Sequence, residues 1–111
     1  MPQEWIAKYA GRFDQGWDEL REETLARQKT LGVVPQGTKL APKPEAIGDW
    51  DQRTPDEKRL FARQMEVFAG YAEYADAEIG RLIKAIDEQG QLENTLLFYV
   101  VGDNGAISRI E

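Results

Sequence analysis

The sequence contains no cysteine and no histidine among its 111 residues. Without cysteine, the chain cannot form a disulfide, provide a thiolate nucleophile or hold zinc through sulfur. Without histidine, it lacks the commonest general acid/base and the commonest ligand of transition metals. A metal site built from these residues must therefore use oxygen ligands, which favours calcium or magnesium.

Basic residues are also scarce relative to acidic ones, 14 against 20, and the formal net charge is −6. Nucleic acid and anionic membrane surfaces are therefore not expected partners, because both are bound through basic patches. The longest apolar run, residues 96–101, is too short to span a bilayer. The first residues show neither the charged nor the apolar region of a signal peptide, which predicts a cytoplasmic protein.

Two segments have the pattern of helices. Residues 14–31 carry acidic side chains early and basic ones late, as the helix dipole favours, and Gly32 follows as a stop. A longer helix is predicted over residues 55–89, where Thr54 and Glu57 have the spacing of a capping box. Two apolar stripes run along this helix, so it is expected to be buried on more than one side.

The connection between these helices, residues 33–53, contains three prolines and two glycines and is predicted to be irregular. Trp50 is expected to pin it to the rest of the protein. Before the first helix, aromatic residues recur at intervals of four, which would suit one helical face or a packing segment that anchors the next helix. These residues are Trp5, Tyr9, Phe13 and Trp17.

Residues 95–101 are predicted to form a strand that is buried on both faces, as strands of parallel sheets are. The fold class is therefore mostly α with one terminal β-strand. Because no second strand is recognisable, its partners must come from another copy, another chain or sequence outside these residues. Self-association through exposed strand and helix surfaces is accordingly expected, most simply as a two-fold dimer.

Asp103 and Asn104 follow the predicted strand directly. Ligands of open α/β sheets bind outside the carboxyl ends of the strands. A carboxylate oxygen and an amide carbonyl oxygen both suit a hard divalent cation, so the pair is a candidate metal site. The other interpretation is an ordinary Asp-Asn-Gly turn.

Several runs together resemble bacterial arylsulfatases of the formylglycine-dependent class, and the resemblance covers almost the whole chain. They are Phe-Asp-Gln-Gly-Trp-Asp at 13–18, Gln-Met-Glu-Val-Phe-Ala-Gly-Tyr at 64–71, Ile-Gly-Arg-Leu-Ile at 79–83 and Val-Gly-Asp-Asn-Gly-Ala at 101–106. The resemblance implies an alkaline-phosphatase-like α/β sulfatase domain, hydrolysis of sulfate esters through formylglycine, and calcium bound partly by an Asp-Asn pair. Only that pair maps onto this chain, at Asp103 and Asn104.

The family's other functional residues have no counterpart here. The Cys/Ser-x-Pro-x-Arg motif that yields formylglycine is missing from the sequence, as are the catalytic histidines. The resemblance therefore predicts part of a sulfatase domain without a catalytic residue of its own, inactive when isolated. The alternative is a small helical module that binds itself or another protein without catalysis.

Overall fold

The structure, a computed structural model, describes residues 1–100 and Gly102. Its helices are α1 (Gln3–Ala7), α2 (Gly16–Thr30) and α3 (Pro55–Glu88), with short 3₁₀ turns at Trp50–Gln52 and Leu92–Asn94. The chain divides into two compact units, of which the first is Met1–Ala77 and the second begins at Glu78. Within the described residues, no helix is long and apolar enough to cross a membrane.

Helix α2 is slightly shorter than the predicted range 14–31, and glycine sets both of its ends. Gly16 has a φ of +81°, and a Cβ at this position would lie 2.2 Å from the Trp50 ring. At the other end, Gly32 has a φ of +72°. The Val33 N–H donates to the Gln28 carbonyl at 2.9 Å, which is the bond of a Schellman cap. Any other residue at Gly16 would both strain the backbone and collide with Trp50.

Helix α3 has 34 residues and is about 50 Å long at 1.5 Å per residue. Its first turn is a capping box, in which the Thr54 N–H donates to Glu57 Oε2 at 2.8 Å and the Glu57 N–H donates to Thr54 Oγ1 at 3.3 Å. At its end, the Gln91 N–H donates to the Ile86 carbonyl at 3.1 Å around Gly90. The helix therefore ends where its sequence supplies a second Schellman cap.

The first unit is built by segments that pack on α3. Helix α1 lies so close to it that a Cβ on Gly70 would be 2.8 Å from the Trp5 carbonyl oxygen. Ile6 and Ala62 are each only 6% exposed. The Trp5 and Tyr74 rings pack edge-on with their centroids 5.6 Å apart. Only Gln3–Ala7 of the aromatic N-terminal stretch is helical before α2, so its aromatic residues do not share one helical face.

The predicted strand over residues 95–101 is wrong for the part that the structure describes. Thr95 has an extended backbone, with φ −112° and ψ 126°, but residues 95–100 pair with no other strand. Their large side chains are exposed, from 42% at Leu97 to 89% at Val100. Extended dihedral angles become a strand only when a neighbour accepts the hydrogen bonds, and the described residues contain no second strand. Over these residues the fold is helical, not α with a terminal strand; Val101 lies outside them.

The close crossing of α1 and α3 predicts opposite effects for two glycine substitutions in the same helix. We expect Gly70→Ala to lower the free energy of unfolding by about 1–3 kcal/mol, because the added methyl group meets backbone atoms that cannot move aside alone. Gly80 has open space around its Cα, so Gly80→Ala should raise that free energy by about 0.5–1 kcal/mol through helix propensity.

Chemical denaturation followed by circular dichroism at 222 nm measures both changes. Gly80→Ala is the control for the general effect of alanine in α3. Equal stabilisation of the two variants would contradict the close approach of α1 at Gly70.

Candidate functional site

The predicted calcium ligands, Asp103 and Asn104, lie outside the described residues. Within the part of the chain that the structure describes, no group of three or more carboxylate side chains is placed to hold a metal ion. Among the polar groups that the fold does bring together are three clusters in the first unit, centred on Lys43, Glu66 and Glu73. They join segments that are far apart in sequence, and each is centred on a charged side chain.

The first cluster, the Lys43 clasp, consists of Asp18, Lys43 and Asp49. Lys43 Nζ donates to Asp18 Oδ1 at 2.6 Å and to Asp49 Oδ1 at 2.7 Å, and the Trp50 N–H donates to Asp18 Oδ2 at 2.8 Å. The bonds from Lys43 and then from Trp50 lower the pKa of Asp18. The hydrogen bond from Lys43 to Asp18, and to a smaller extent the one to Asp49, raises the pKa of Lys43. These bonds tie the proline-rich connection to the first turn of α2.

An aromatic cluster lies beside this clasp. The Trp17 and Trp50 rings pack edge-on with their centroids 4.8 Å apart. The Trp17 ring also packs against Phe61 of α3, with a centroid distance of 5.6 Å. The Trp17 indole N–H donates to the Gly48 carbonyl at 3.1 Å, which gives its polar edge a partner. Trp50 is only 6% exposed, so it fastens the connection by burial as well as by hydrogen bonding.

Glu66 of α3 is the one buried charged side chain of the described residues, at 8% exposure. Its Oε1 accepts from the Gly11 N–H at 2.8 Å and its Oε2 accepts from Arg63 at 2.7 Å. The bond from Arg63 and, to a smaller extent, the bond from Gly11 lower the pKa of Glu66 and favour its ionised form. The carboxylate therefore holds the turn before α2 against α3, and it is unsuited to act as a proton donor.

Sequence reasoning missed Glu66, although a signal was present. It lies four residues from both Ala62 and Gly70, so the three share one side of α3. A glutamate between two small residues on a face that another segment approaches must find partners there. The partner backbone N–H belongs to Gly11, which is 55 residues away, so no local pattern identifies it.

A third cluster ties the N-terminal segment to α3 about two turns further along the helix, at Glu73. Lys8 Nζ donates to Glu73 Oε1 at 2.7 Å and lies 3.8 Å from the centre of the Trp5 ring. The bond from Lys8 is the main cause of the lowered pKa of Glu73. Burial, and then the hydrogen bond to Glu73, raise the pKa of Tyr9. In all three clusters the charged groups are bound to groups of this chain, so their role is to anchor segments.

The lowered pKa of Glu66 predicts a specific loss of stability in acid. A carboxyl whose pKa is lower when folded stabilises the protein above its ordinary pKa of about 4.3, and this contribution is lost as the pH falls through the folded-state value. Glu66→Gln removes that titration. We expect the variant to be less stable than the parent near neutral pH, and to lose less of its melting temperature between about pH 7 and pH 3.

Thermal unfolding followed by circular dichroism across this pH range measures the effect. Glu22→Gln, at an exposed glutamate of α2, removes the same charge and serves as the control. An acid sensitivity of Glu66→Gln equal to that of the parent would mean that Glu66 is not held ionised by Gly11 and Arg63.

The sequence of this chain is similar to those of known proteins over almost its whole length. The sequence model of the sulfatase family matches residues 1–109. An uncharacterized sulfatase of Schizosaccharomyces pombe is 42% identical over 107 residues, covering 95% of this chain and 19% of that protein. An arylsulfatase of Klebsiella aerogenes is 36% identical over 105 residues, covering 95% of this chain and 22% of that protein. The chain thus spans about a fifth of the length of these relatives.

The resemblance drawn from the sequence motifs is thereby confirmed. The match runs through the N-terminal segment, the proline-rich connection and α3 alike, and it includes the residues that form the three anchoring clusters. This chain belongs to the sulfatase family.

Proposed function

We propose that these residues form one part of a sulfate-ester hydrolase and act only together with the rest of such an enzyme. The observation that carries this proposal is the match over 95% of the chain to an arylsulfatase of which it covers 22%. The hydrolysis of aryl sulfates is taken from the name of that relative. The low coverage supports a contribution to a larger site instead of a complete one.

The covalent step of the proposed reaction needs a nucleophile that this sequence does not encode. In the resemblance drawn above, the nucleophile is a formylglycine made within a Cys/Ser-x-Pro-x-Arg motif, and neither that motif nor a histidine is present. A group-transfer enzyme loses most of its acceleration without its nucleophile. We therefore assign no catalytic residue to these 111 residues.

The proposed direct contribution to the active site is a pair of calcium ligands, Asp103 and Asn104. Their carboxylate and amide carbonyl oxygens have the donor chemistry that calcium prefers, but calcium takes about six to eight oxygens. The remaining ligands must come from elsewhere, so the isolated chain should bind calcium weakly. Bound calcium would polarise the sulfate oxygens of a substrate.

The residues before this pair have a positioning role in the proposal. The Schellman cap at Gly90 ends α3, and Thr95 Oγ1 donates to the Gln91 carbonyl at 2.7 Å. These bonds fix the direction in which the chain leaves the helix as far as Thr95. Ligands are held accurately when the elements that carry them are themselves rigid.

A transplantation experiment tests the proposal. The isolated chain should not hydrolyse 4-nitrophenyl sulfate, with or without added calcium, because it has no nucleophile. A Klebsiella aerogenes arylsulfatase whose matching segment is replaced by these residues should hydrolyse it. In that chimera, Asp103→Ala should lower kcat/KM by about 100-fold or more, because metal polarisation contributes several kcal/mol to the transition state.

The matched control is Asp87→Ala in the same chimera, which removes an exposed aspartate of α3 and should leave kcat/KM unchanged. Circular dichroism of each chimera checks that it is folded. Turnover by the purified isolated chain would contradict the absence of a nucleophile. A folded Asp103→Ala chimera with full activity would contradict the calcium assignment.

A second candidate function, self-association without catalysis, is favoured by exposed apolar side chains. On α3, Leu60 is 54% exposed, Phe68 44% and Tyr71 59%. In the second unit, Phe98 is 80% exposed and Val100 89%. Apolar patches of this kind usually become interfaces, and identical copies most often pair with two-fold symmetry.

Light scattering coupled to size-exclusion chromatography tests this candidate. We expect a dimer that Phe98→Lys or Tyr71→Lys shifts toward monomer, because a lysine in an apolar interface loses its hydration without gaining a partner. Leu31→Lys is the control, since Leu31 is an apolar residue, 70% exposed at the end of α2, that belongs to neither group of side chains. A parent chain that remains monomeric at high concentration would contradict self-association.

A further inference from the structure

A groove runs along α2 where the proline-rich connection passes beside it. Its walls are mainly apolar and consist of Leu20 and Leu25 of α2 with Leu40 and Ala41 of the connection, and the side chains of Arg21 and Lys39 also line it. Its volume is about 290 Å³, just below the range of small-molecule sites, which is about 300–1,000 Å³. The groove lies wholly within the first unit.

The connection is tied to α2 on both sides of the groove. The Gln36 amide donates to the Lys29 carbonyl at 2.9 Å, and Arg21 donates to the Ala41 carbonyl. Beyond Ala41, the Lys43 clasp fixes the chain to Asp18 at 2.6 Å. Because these bonds hold the connection against α2, a molecule entering the groove would not have to order the connection first, which lowers the cost of binding.

The charge of the groove differs from that of the chain as a whole. The sequence has 20 acidic and 14 basic residues, yet the residues that line the groove include two cations and no carboxylate. Arg21 uses part of its five-donor guanidinium on the Ala41 carbonyl and keeps other N–H groups for a ligand. Lys39 is exposed and its ammonium group can approach an anion from the opposite wall.

We propose that this groove binds a small amphipathic anion: an apolar body of one aromatic ring or a short alkyl chain that carries a single anionic group. The leucine side chains would cover the apolar body, and Arg21 and Lys39 would pair with the anionic group. This inference does not depend on sulfatase activity, because it concerns binding by residues distant in sequence from Asp103 and Asn104.

Binding can be followed by two-dimensional ¹H–¹⁵N NMR during titration with 4-toluenesulfonate, which has the proposed chemistry and no hydrolysable ester. We expect saturable shifts at the amides of residues 20–28 and 39–41. The isosteric neutral 4-toluenesulfonamide tests the need for charge, and inorganic sulfate tests the need for an apolar body. The sulfonamide should bind at least about threefold more weakly because it lacks the charge that pairs with Arg21 and Lys39. Sulfate should also bind at least about threefold more weakly because it lacks the apolar body that the leucine side chains cover.

Variants locate the site. Lys39→Gln should weaken sulfonate binding by roughly threefold to fivefold, and Leu40→Ser should weaken both the sulfonate and the sulfonamide. Arg27→Gln removes the same charge from α2 outside the groove and should leave binding unchanged. Shifts centred elsewhere, equal responses to sulfonate and sulfonamide, saturation by sulfate alone, or an unaffected Lys39→Gln variant would each overturn the proposal.

Discussion

The close approach of α1 to α3 at Gly70 is the contact on which the first unit depends. A methyl group there would meet the Trp5 carbonyl oxygen at 2.8 Å, so only glycine admits the N-terminal segment to this side of the helix. Once α1 lies there, the Gly11 N–H reaches Glu66 and Lys8 reaches Glu73. The packing contact and the two polar ties thus support each other, and each requires the register set by Gly70.

Charged groups give this small unit its specificity at a cost in hydration. Burying the Glu66 carboxylate is unfavourable in itself, and the bonds from Gly11 and Arg63 offset that penalty only in one arrangement of the chain. The same holds for Lys43, whose side chain is 17% exposed and lies between Asp18 and Asp49. Apolar burial alone is limited here, because the only buried hydrophobic residues of the described part are Ile6, Trp50 and Ala62.

Local chemistry explains which features could be predicted from the sequence. The start of α3 and the end of α2 could be predicted because Thr54, Glu57 and Gly32 act on neighbouring backbone groups. The backbone partner of Glu66 could not be predicted in the same way, since Gly11 is 55 residues away. The family could be recognised because motifs spread over nearly the whole chain, whereas the groove along α2 arises only when the connection folds back on that helix.

The strand prediction failed for a reason that also bears on the candidate calcium site. An apolar run such as residues 96–100 becomes a strand only if a second strand accepts its hydrogen bonds, and its sequence is silent about that neighbour. In the same way, the proposed calcium ligands Asp103 and Asn104 would provide only two of the roughly six to eight oxygens that calcium takes. Both features are properties of assembled groups. A chain that spans about a fifth of the length of its relatives can therefore contain the apolar run without its partner strand, and the Asp-Asn pair without the remaining ligands. The proposed calcium site must for that reason be tested in a protein that supplies those ligands.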